Sequence, residues 1–163
     1  MIDFLKSVEY THTHRDEMIQ NLSEFLLTDT ILFWSDVPAL KAQQQKEWQP
    51  LLDIFARQYG LNLEITTGLS AEKNAVNKSA FAKLLQNLSD KELASCFLTS
   101  SESKSPLLGY LFAKKQIDAS AVFVAAFLEE LYQNLRWGTD EAASNKHRQV
   151  KSTLNQIAEF LAA

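Results

Sequence analysis

The stretch from Leu128 to Glu141, L-E-E-L-Y-Q-N-L-R-W-G-T-D-E, joins two helical patterns through a single glycine. Within it, Glu129, Gln133 and Trp137 follow one another at steps of four residues. Because four residues turn an α-helix by one full turn plus roughly 40°, these three side chains share one stripe. A stripe that carries a carboxylate, an amide and a tryptophan indicates a docking surface rather than a reaction centre.

Apolar residues occupy the opposite side of the same pattern: Phe123, Val124, Phe127, Leu128, Leu131 and Leu135. We expect one long helix that Asp118 caps and Gly138 ends, since these residue types favour the two ends of helices. Thr139 is the expected cap of a final helix, whose first turn contains Asp140 and Glu141. The apolar stripe of that final helix comprises Ala143, His147, Val150, Leu154, Ile157 and Leu161.

Length and composition predict a single, mostly helical domain over residues 1–163. A chain of 163 residues can bury a stable core, and its 46% hydrophobic and 22% charged residues are typical of globular proteins. It contains only 4 glycines and 3 prolines, which argues against a turn-rich β fold. We therefore expect a mainly α protein.

Charge and residue usage narrow the class of function. The net charge of −4 and the absence of a basic stripe argue against nucleic-acid binding, which requires clustered cations. The single cysteine, Cys96, cannot form an internal disulfide, and its apolar neighbours predict a buried, inert thiol in a reducing compartment. No apolar run approaches the ~20 residues of a membrane span, and no signal peptide is evident. We expect a soluble, intracellular protein without membrane insertion.

The first half of the chain predicts helices and two short strands. Thr13 is the expected cap of the first helix. The β-branched and aromatic segment Thr30–Trp34 predicts a strand. Pro38 opens a long helix that Pro50 should kink or break and that Gly60 should end.

A second strand follows, because Leu61, Leu63 and Ile65 alternate with polar residues up to Gly68. Two isolated strands leave backbone groups unpaired, so we expect them to pair with each other.

The second half predicts further helices separated by loops. Residues Ala71–Asn77 and Thr99–Ser105 are expected to be loops. The residues Ser89 and Glu92 form the pattern of a capping box, and Ser105 before a proline predicts another helix start. The expected fold is mainly α, with about seven helices and a minor two-stranded β element packed as one compact domain.

The histidines offer weak candidates for chemistry. His12 and His14 could form a metal-ligand pair, but no cysteine or third histidine lies nearby in the sequence. We interpret them as a flexible segment before the first helix. His147 lies on the apolar stripe of the last helix, where a core histidine with a local hydrogen bond is expected. The sequence therefore predicts no metal site.

Catalytic and cofactor-binding motifs are absent from the sequence. There is no G-x-S-x-G nucleophile motif and no glycine-rich phosphate loop. Glu129 and Glu130 are adjacent, so on a helix they point about 100° apart and cannot converge on one substrate unaided. We expect no catalytic residues, no enzyme activity and no cofactor.

The three tryptophans have different expected roles. Trp48 lies in an apolar helical pattern and should belong to the core. Trp34 ends the first predicted strand, and the residues around it leave its role open. Trp137 precedes Gly138, so it should either fill the junction between the last two helices or contact a partner.

Several motifs resemble those of the assembly chaperones of the ATP synthase α subunit. The pattern L-E-E-x-Y-Q-x-x-x-W-G-x-D-E covers Leu128 to Glu141. Further matches are T-D-T-I-L-F from Thr28, Q-x-x-W-x-P-L-L from Gln45, L-E-I-T-T-G from Leu63 and the Lys104–Ser105 pair. These motifs occur in the same order as in the family and span most of the chain.

The resemblance implies a helical domain that binds the newly made α subunit and shields it until the catalytic head assembles. It implies Glu129 and Gln133 as polar partner contacts, with Trp137 and Asp140 as further ones. The family usually carries an additional strand-rich N-terminal domain, and this chain begins where the helical domain would begin. We expect a monomer in a bacterial cytoplasm, or in the mitochondrial matrix if the source is eukaryotic.

Two other functions stay open at this point. A small helical enzyme could use His147 or the Glu129–Glu130 pair in a cleft. A helical adaptor could use the same docking stripe for a different partner. A deep pocket lined by converging titratable groups would favour the enzyme, whereas an open surface around Glu129 would favour a partner-binding protein.

Overall fold

The computed structural model describes residues 2–163, and its ordered elements in that range are nine α-helices and three short 3-10 helices. The α-helices are α1 (Phe4–Thr13), α2 (Arg15–Phe25), α3 (Pro38–Tyr59), α4 (Lys78–Gln86), α5 (Asp90–Ser103), α6 (Pro106–Ala113), α7 (Ala119–Ala126), α8 (Leu128–Trp137) and α9 (Glu141–Ala162). The 3-10 helices are Leu26–Thr28, Thr30–Leu32 and Glu72–Asn77. The predicted mainly α class is confirmed, but the predicted number of about seven helices is wrong.

Short polar side chains start most of the helices, as the sequence predicted. The hydroxyl of Ser89 and the carboxylate of Glu92 form the complete capping box of α5. Ser105 caps α6, and Asp118 caps α7. The expected cap at Thr139 is wrong, because Oδ1 of Asp140 accepts the α9 hydrogen bond instead.

The first helix begins earlier than the sequence predicted. The carboxylate of Asp3 accepts a hydrogen bond from the amide of Lys6 and starts α1 there. Thr13 is therefore the last residue of α1 and not a cap. The region that contains His12 and His14 is helical or forms the junction to α2, so the flexible segment expected there is also wrong.

The predicted strand pair is wrong in its secondary structure. A single parallel bridge joins Phe33 to Thr66, and no longer strand forms anywhere in residues 2–163. Two backbone hydrogen bonds accompany it, from the amide of Trp34 to the carbonyl of Thr66 and from the amide of Thr66 to the carbonyl of Leu32, each 2.8 Å. The two predicted segments are therefore neighbours, as expected, but they do not extend into a ladder.

Side chains replace the missing strand partners. The carboxylate of Asp29 accepts the amide of Ile31 at 3.0 Å and bends the first segment into a 3-10 turn. In the second segment, the amide group of Asn74 bonds both backbone groups of Glu64, at 2.8 Å and 2.7 Å. Because these backbone groups are already satisfied, the segments need no sheet.

Several predicted boundaries shift because helices continue through them. The helix α3 runs through Pro50 without a break and ends at Gly60, whose φ of 64° is left-handed. The expected loop Thr99–Ser105 is wrong, since α5 extends to Ser103. There the hydroxyls of Ser100 and Ser103 donate to carbonyls one turn earlier, so these serines are satisfied inside a helix.

The expected long helix from residue 119 to residue 137 is divided in two. Phe127 interrupts it with φ of −110° and separates α7 from α8. Close to this break, the indole Nε1 of Trp48 donates a hydrogen bond of 2.9 Å to the carbonyl of Ala125. A tertiary contact from α3 therefore binds a backbone acceptor near the end of α7, which helical periodicity alone could not reveal.

The tightest part of the core lies between α5 and α6. Gly109 allows this contact, because a Cβ atom there would lie 2.6 Å from the backbone oxygen of Cys96. Cys96 is fully buried, and desolvation raises the pKa of its thiol to about 12. The predicted burial of this thiol is confirmed. None of the helices in the described part of the chain is long and apolar enough to cross a membrane.

Candidate partner-binding surface

The helix α8 lies on the outside of the fold, against α3 and α7. Only Leu128, at its start, is buried, while Leu131 and Tyr132 are partly buried. Most of the remaining side chains are exposed. The helix therefore presents a long outer surface to solvent.

A cleft of about 510 Å³ runs along one side of α8. Glu129 and Gln133 line it from α8, and the facing wall includes Phe33 and Trp48. Two of the predicted contact residues thus meet at one concave surface. Neither Trp137 nor Asp140 lines this cleft, so the structure does not bring all four residues together.

The polar side chains of this surface differ in their hydrogen bonding. The α8 side chains that form hydrogen bonds within residues 2–163 are Glu130, which contacts His147 at 2.9 Å, and Arg136, which donates to Tyr132 at 3.0 Å. Glu129 and Gln133 take part in neither contact. Their carboxylate and amide are exposed at the cleft and can form hydrogen bonds with another molecule.

Trp137 is exposed to solvent rather than packed between helices. Its relative accessibility is 78%, and that of Leu135 is 89%. The expectation that Trp137 fills the junction of the last two helices is therefore wrong, as is the placement of Leu135 on a buried face. The apolar stripe extrapolated from α7 ends near Leu131, because α8 is a separate helix with its own orientation.

Asp140 has a local structural role. Its Oδ1 accepts the amide of Ala143 at 2.7 Å and caps α9. The residue is exposed, so a second role in contact with a partner stays a prediction.

His147 is a core histidine with a local hydrogen bond, as predicted. It is 8% exposed, and its ring lies 5.3 Å from the rings of both Phe123 and Phe127 at edge-on angles. Its Nε2 contacts Glu130 of α8. The residue therefore joins α9 to α7 and α8.

The other two histidines lie at the end of α1 and at its junction with α2. His12 Nδ1 lies 2.7 Å from Asp90, and this hydrogen bond lowers the pKa of Asp90 below its usual value. His14 stacks on Tyr10 with ring centroids 4.0 Å apart. Across residues 2–163, no three potential ligand side chains of His, Cys, Asp or Glu are close enough to hold a metal ion.

Asp29 is a buried residue that the sequence analysis did not select. Its carboxylate accepts hydrogen bonds from the amides of Ile31 and Leu107 and from the hydroxyl of Ser105, at 2.7 to 3.0 Å. Burial raises the pKa of Asp29 to about 7, although the hydrogen bonds, foremost that from Leu107, act in the lowering direction.

This anchor also positions one wall of the cleft. Asp29 holds the segment Thr30–Leu32 against the start of α6, and Thr30 adds hydrogen bonds to the carbonyl of Lys104. Thr30 and Phe33 thereby reach the cleft beside α8. The T-D-T-I-L-F motif was the signal that could have selected them, since it belongs to the family pattern.

Comparison with known proteins agrees with the motif resemblance. The family model described as ATP12 chaperone protein matches residues 1–56. A curated relative, Protein atp12, mitochondrial, from Schizosaccharomyces pombe, is 24% identical over 143 residues, which cover 83% of this chain and 49% of that protein. In sequence, the chain is thus similar to the ATP12 chaperone family. It spans about half the length of this curated ATP12 relative.

Solved structures share the fold. Atp12 from Paracoccus denitrificans aligns with a TM-score of 0.85 at 22% identity, covering 96% of this chain and 68% of that one. A protein from Agrobacterium tumefaciens aligns with a TM-score of 0.81, also at 22% identity, covering 95% of this chain and 59% of the other. At these identities the likeness establishes the ATP12 fold for almost the whole chain.

Proposed function

We propose that this chain is a chaperone that binds the unassembled ATP synthase α subunit and assists assembly of the catalytic head. Its similarity to the ATP12 family supports this class of function. The observation that carries the binding mode is the open cleft beside α8, where Glu129 and Gln133 form no side-chain hydrogen bond with any other residue of 2–163.

The chemistry of the cleft suits temporary capture. An unassembled subunit exposes apolar surface that later contacts its neighbours, and such surface aggregates in water. Phe33 is partly exposed and offers apolar area on one wall, while Glu129 and Gln133 offer polar anchors on the other. A small area with few anchors gives modest affinity, which allows the β subunit to displace the chaperone.

The alternative functions receive less support. An enzyme would require His147 or the two glutamates to converge on a substrate, but His147 is almost fully buried and its Nε2 is occupied by Glu130. An adaptor for another client would use the same cleft, and the family match favours the α subunit. We place the protein in a bacterial cytoplasm, or in the mitochondrial matrix if its source is eukaryotic, as the name of the fission-yeast relative suggests.

Co-expression with the cognate α subunit tests this function. We expect the α subunit to remain soluble and to co-purify with the wild-type chain, and to aggregate more when Glu129→Lys replaces it. Glu17→Lys is the matched control, because Glu17 is also an exposed glutamate in the first turn of a helix and lines no part of the cleft. An α subunit that is equally insoluble with and without the wild-type chain would contradict the proposal.

A further inference from the structure

A second groove of about 560 Å³ lies between α8 and α9, on the face of α8 next to the Glu129 cleft. Its apolar surface includes Leu131 and Leu135 of α8. Leu135 is 89% exposed, and in this groove it lies beside the partly buried Leu131. The groove therefore leaves an apolar surface without a covering element in the described part of the chain.

The charged residues of this groove are all cations. Arg148 and Lys151 line it from α9, and no carboxylate does. Neither residue forms a salt bridge within residues 2–163. This positive edge stands out because the chain as a whole carries a net charge of −4. Unneutralised cations beside exposed leucine favour a partner that supplies both carboxylates and apolar side chains.

The spacing of the two cations indicates the form of such a partner. Residues three apart lie on one face of a helix, about 4.5 Å apart along its axis. Glutamates three residues apart on a second helix have the same spacing, and the leucines between them could then contact Leu131 and Leu135.

We propose that the groove between α8 and α9 binds an acidic amphipathic helix of a partner protein, with Arg148 and Lys151 pairing its carboxylates and Leu135 covering its apolar face. This groove lies on the face of α8 next to the Glu129 cleft, and Asn134 lines both. It does not depend on which protein supplies the helix.

A peptide-binding measurement tests the groove without any ATP synthase subunit. The probe is a fluorescein-labelled peptide of about 14 residues, a length of roughly 21 Å as a helix, made of leucine and alanine with glutamates one turn apart. Its partner peptide carries lysine in place of each glutamate. We expect fluorescence anisotropy to show saturable binding of the glutamate peptide only, and weaker binding as salt is raised.

Variants locate the binding site. Arg148→Glu combined with Lys151→Glu should weaken binding of the glutamate peptide by about tenfold or more, because attraction becomes repulsion. Leu135→Ala should weaken it severalfold while leaving the fold intact, since Leu135 is exposed. The control, Lys41→Glu with Lys46→Glu, changes the net charge equally on exposed positions of α3 that do not line the groove.

Three results would overturn this inference: no saturable binding of the glutamate peptide, equal binding of the two peptides, or equal weakening by the groove and control variants. Circular dichroism of each variant shows whether the helices are retained. Because no α subunit is present, a failure here leaves the proposed chaperone function standing, and a failure of α-subunit capture leaves the groove standing.

Discussion

Nε2 of His147 lies 2.9 Å from Oε2 of Glu130, and this contact joins the last helix to the helix that carries the candidate surface. The imidazole is packed edge-on against Phe123 and Phe127, so it is held by both packing and a hydrogen bond. The orientation of α8, and hence of the two grooves beside it, depends on this junction.

Removal of the imidazole should therefore destabilise the protein. We expect His147→Ala to lower the free energy of unfolding by about 2–3 kcal/mol, because it leaves a cavity between aromatic rings. Glu130→Gln should cost less than about 1 kcal/mol, since half of the Glu130 side chain is exposed and water screens the pair. Urea denaturation of both variants measures the difference. Equal losses would show that the contact between His147 and Glu130, rather than packing, holds the junction.

The buried carboxyl of Asp29 predicts a specific pH dependence. Burial raises its folded pKa to about 7, above the value of 3.8 for the free side chain. The folded state thus binds the proton more tightly between these pH values, and the stability contributed by Asp29 is full below pH 3.8 and is lost as the pH rises through 7.

Asp29→Asn isolates this effect, because the amide does not titrate. The stability of the wild type relative to Asp29→Asn should fall as the pH is raised from about 4.5 to 8, by up to ~1.4 kcal/mol per pH unit. Urea denaturation at several pH values measures the relative stability, and other titrating groups cancel in the comparison. A difference that stays constant with pH would contradict the raised pKa of Asp29.

The contact between α5 and α6 predicts that Gly109 cannot carry a side chain. A Cβ there would lie 2.6 Å from the backbone oxygen of Cys96 and would also clash with the hydroxyl of Ser100. Replacing glycine by alanine inside a helix stabilises the helix by about 1 kcal/mol, but overpacking against the backbone costs more than this gain. We expect Gly109→Ala to lower the melting temperature clearly, by a net cost of about 2 kcal/mol.

Gly68→Ala is the control for this prediction. A Cβ at Gly68 would lie 3.4 Å from Oγ1 of Thr66, which is ordinary contact distance, and the residue is exposed. Its stability should remain within about 0.5 kcal/mol of the wild type. If both glycine variants melt alike, the close approach of α5 and α6 is not a determinant of stability.

The exposure of Trp137 predicts a role outside the fold. Trp34 and Trp48 are buried, at 6% and 2% exposure, so Trp137 should account for nearly all tryptophan emission that acrylamide quenches. We expect Trp137→Phe to remove that component. We also expect Trp137→Ala to weaken capture of the α subunit while changing stability by less than about 0.5 kcal/mol. A large loss of stability would instead show that Trp137 packs within the fold.

The ends of helices were predictable where a short polar side chain starts them. Ser89, Ser105 and Asp118 were all identified from sequence, because the hydrogen bond that defines a cap forms within three residues. The predictions of secondary structure failed where side chains from distant parts of the sequence form hydrogen bonds with the backbone. Asn74 replaces a strand partner of Glu64, and Trp48 binds a carbonyl beside the break at Phe127. Local patterns contain neither contact.

The candidate surface also has one part that depends on local sequence and another that depends on distant contacts. Glu129 and Gln133 were predicted to share a face because they are one helical turn apart, and both line the cleft. The facing wall could not be predicted, since Phe33 lies about a hundred positions earlier in the chain. Only the fold, anchored by Asp29 at the start of α6, brings Phe33 to α8.

Binding of purified α subunit to the immobilised chain tests the central claim most directly. The account predicts saturable binding by the wild type, at least tenfold weaker binding by Glu129→Lys, and unchanged binding by Glu17→Lys, because only the first reversal places a cation at the cleft. All three proteins should retain the same helical circular dichroism. Equal affinity of the wild type and Glu129→Lys would contradict the assignment of this cleft as the partner-binding surface.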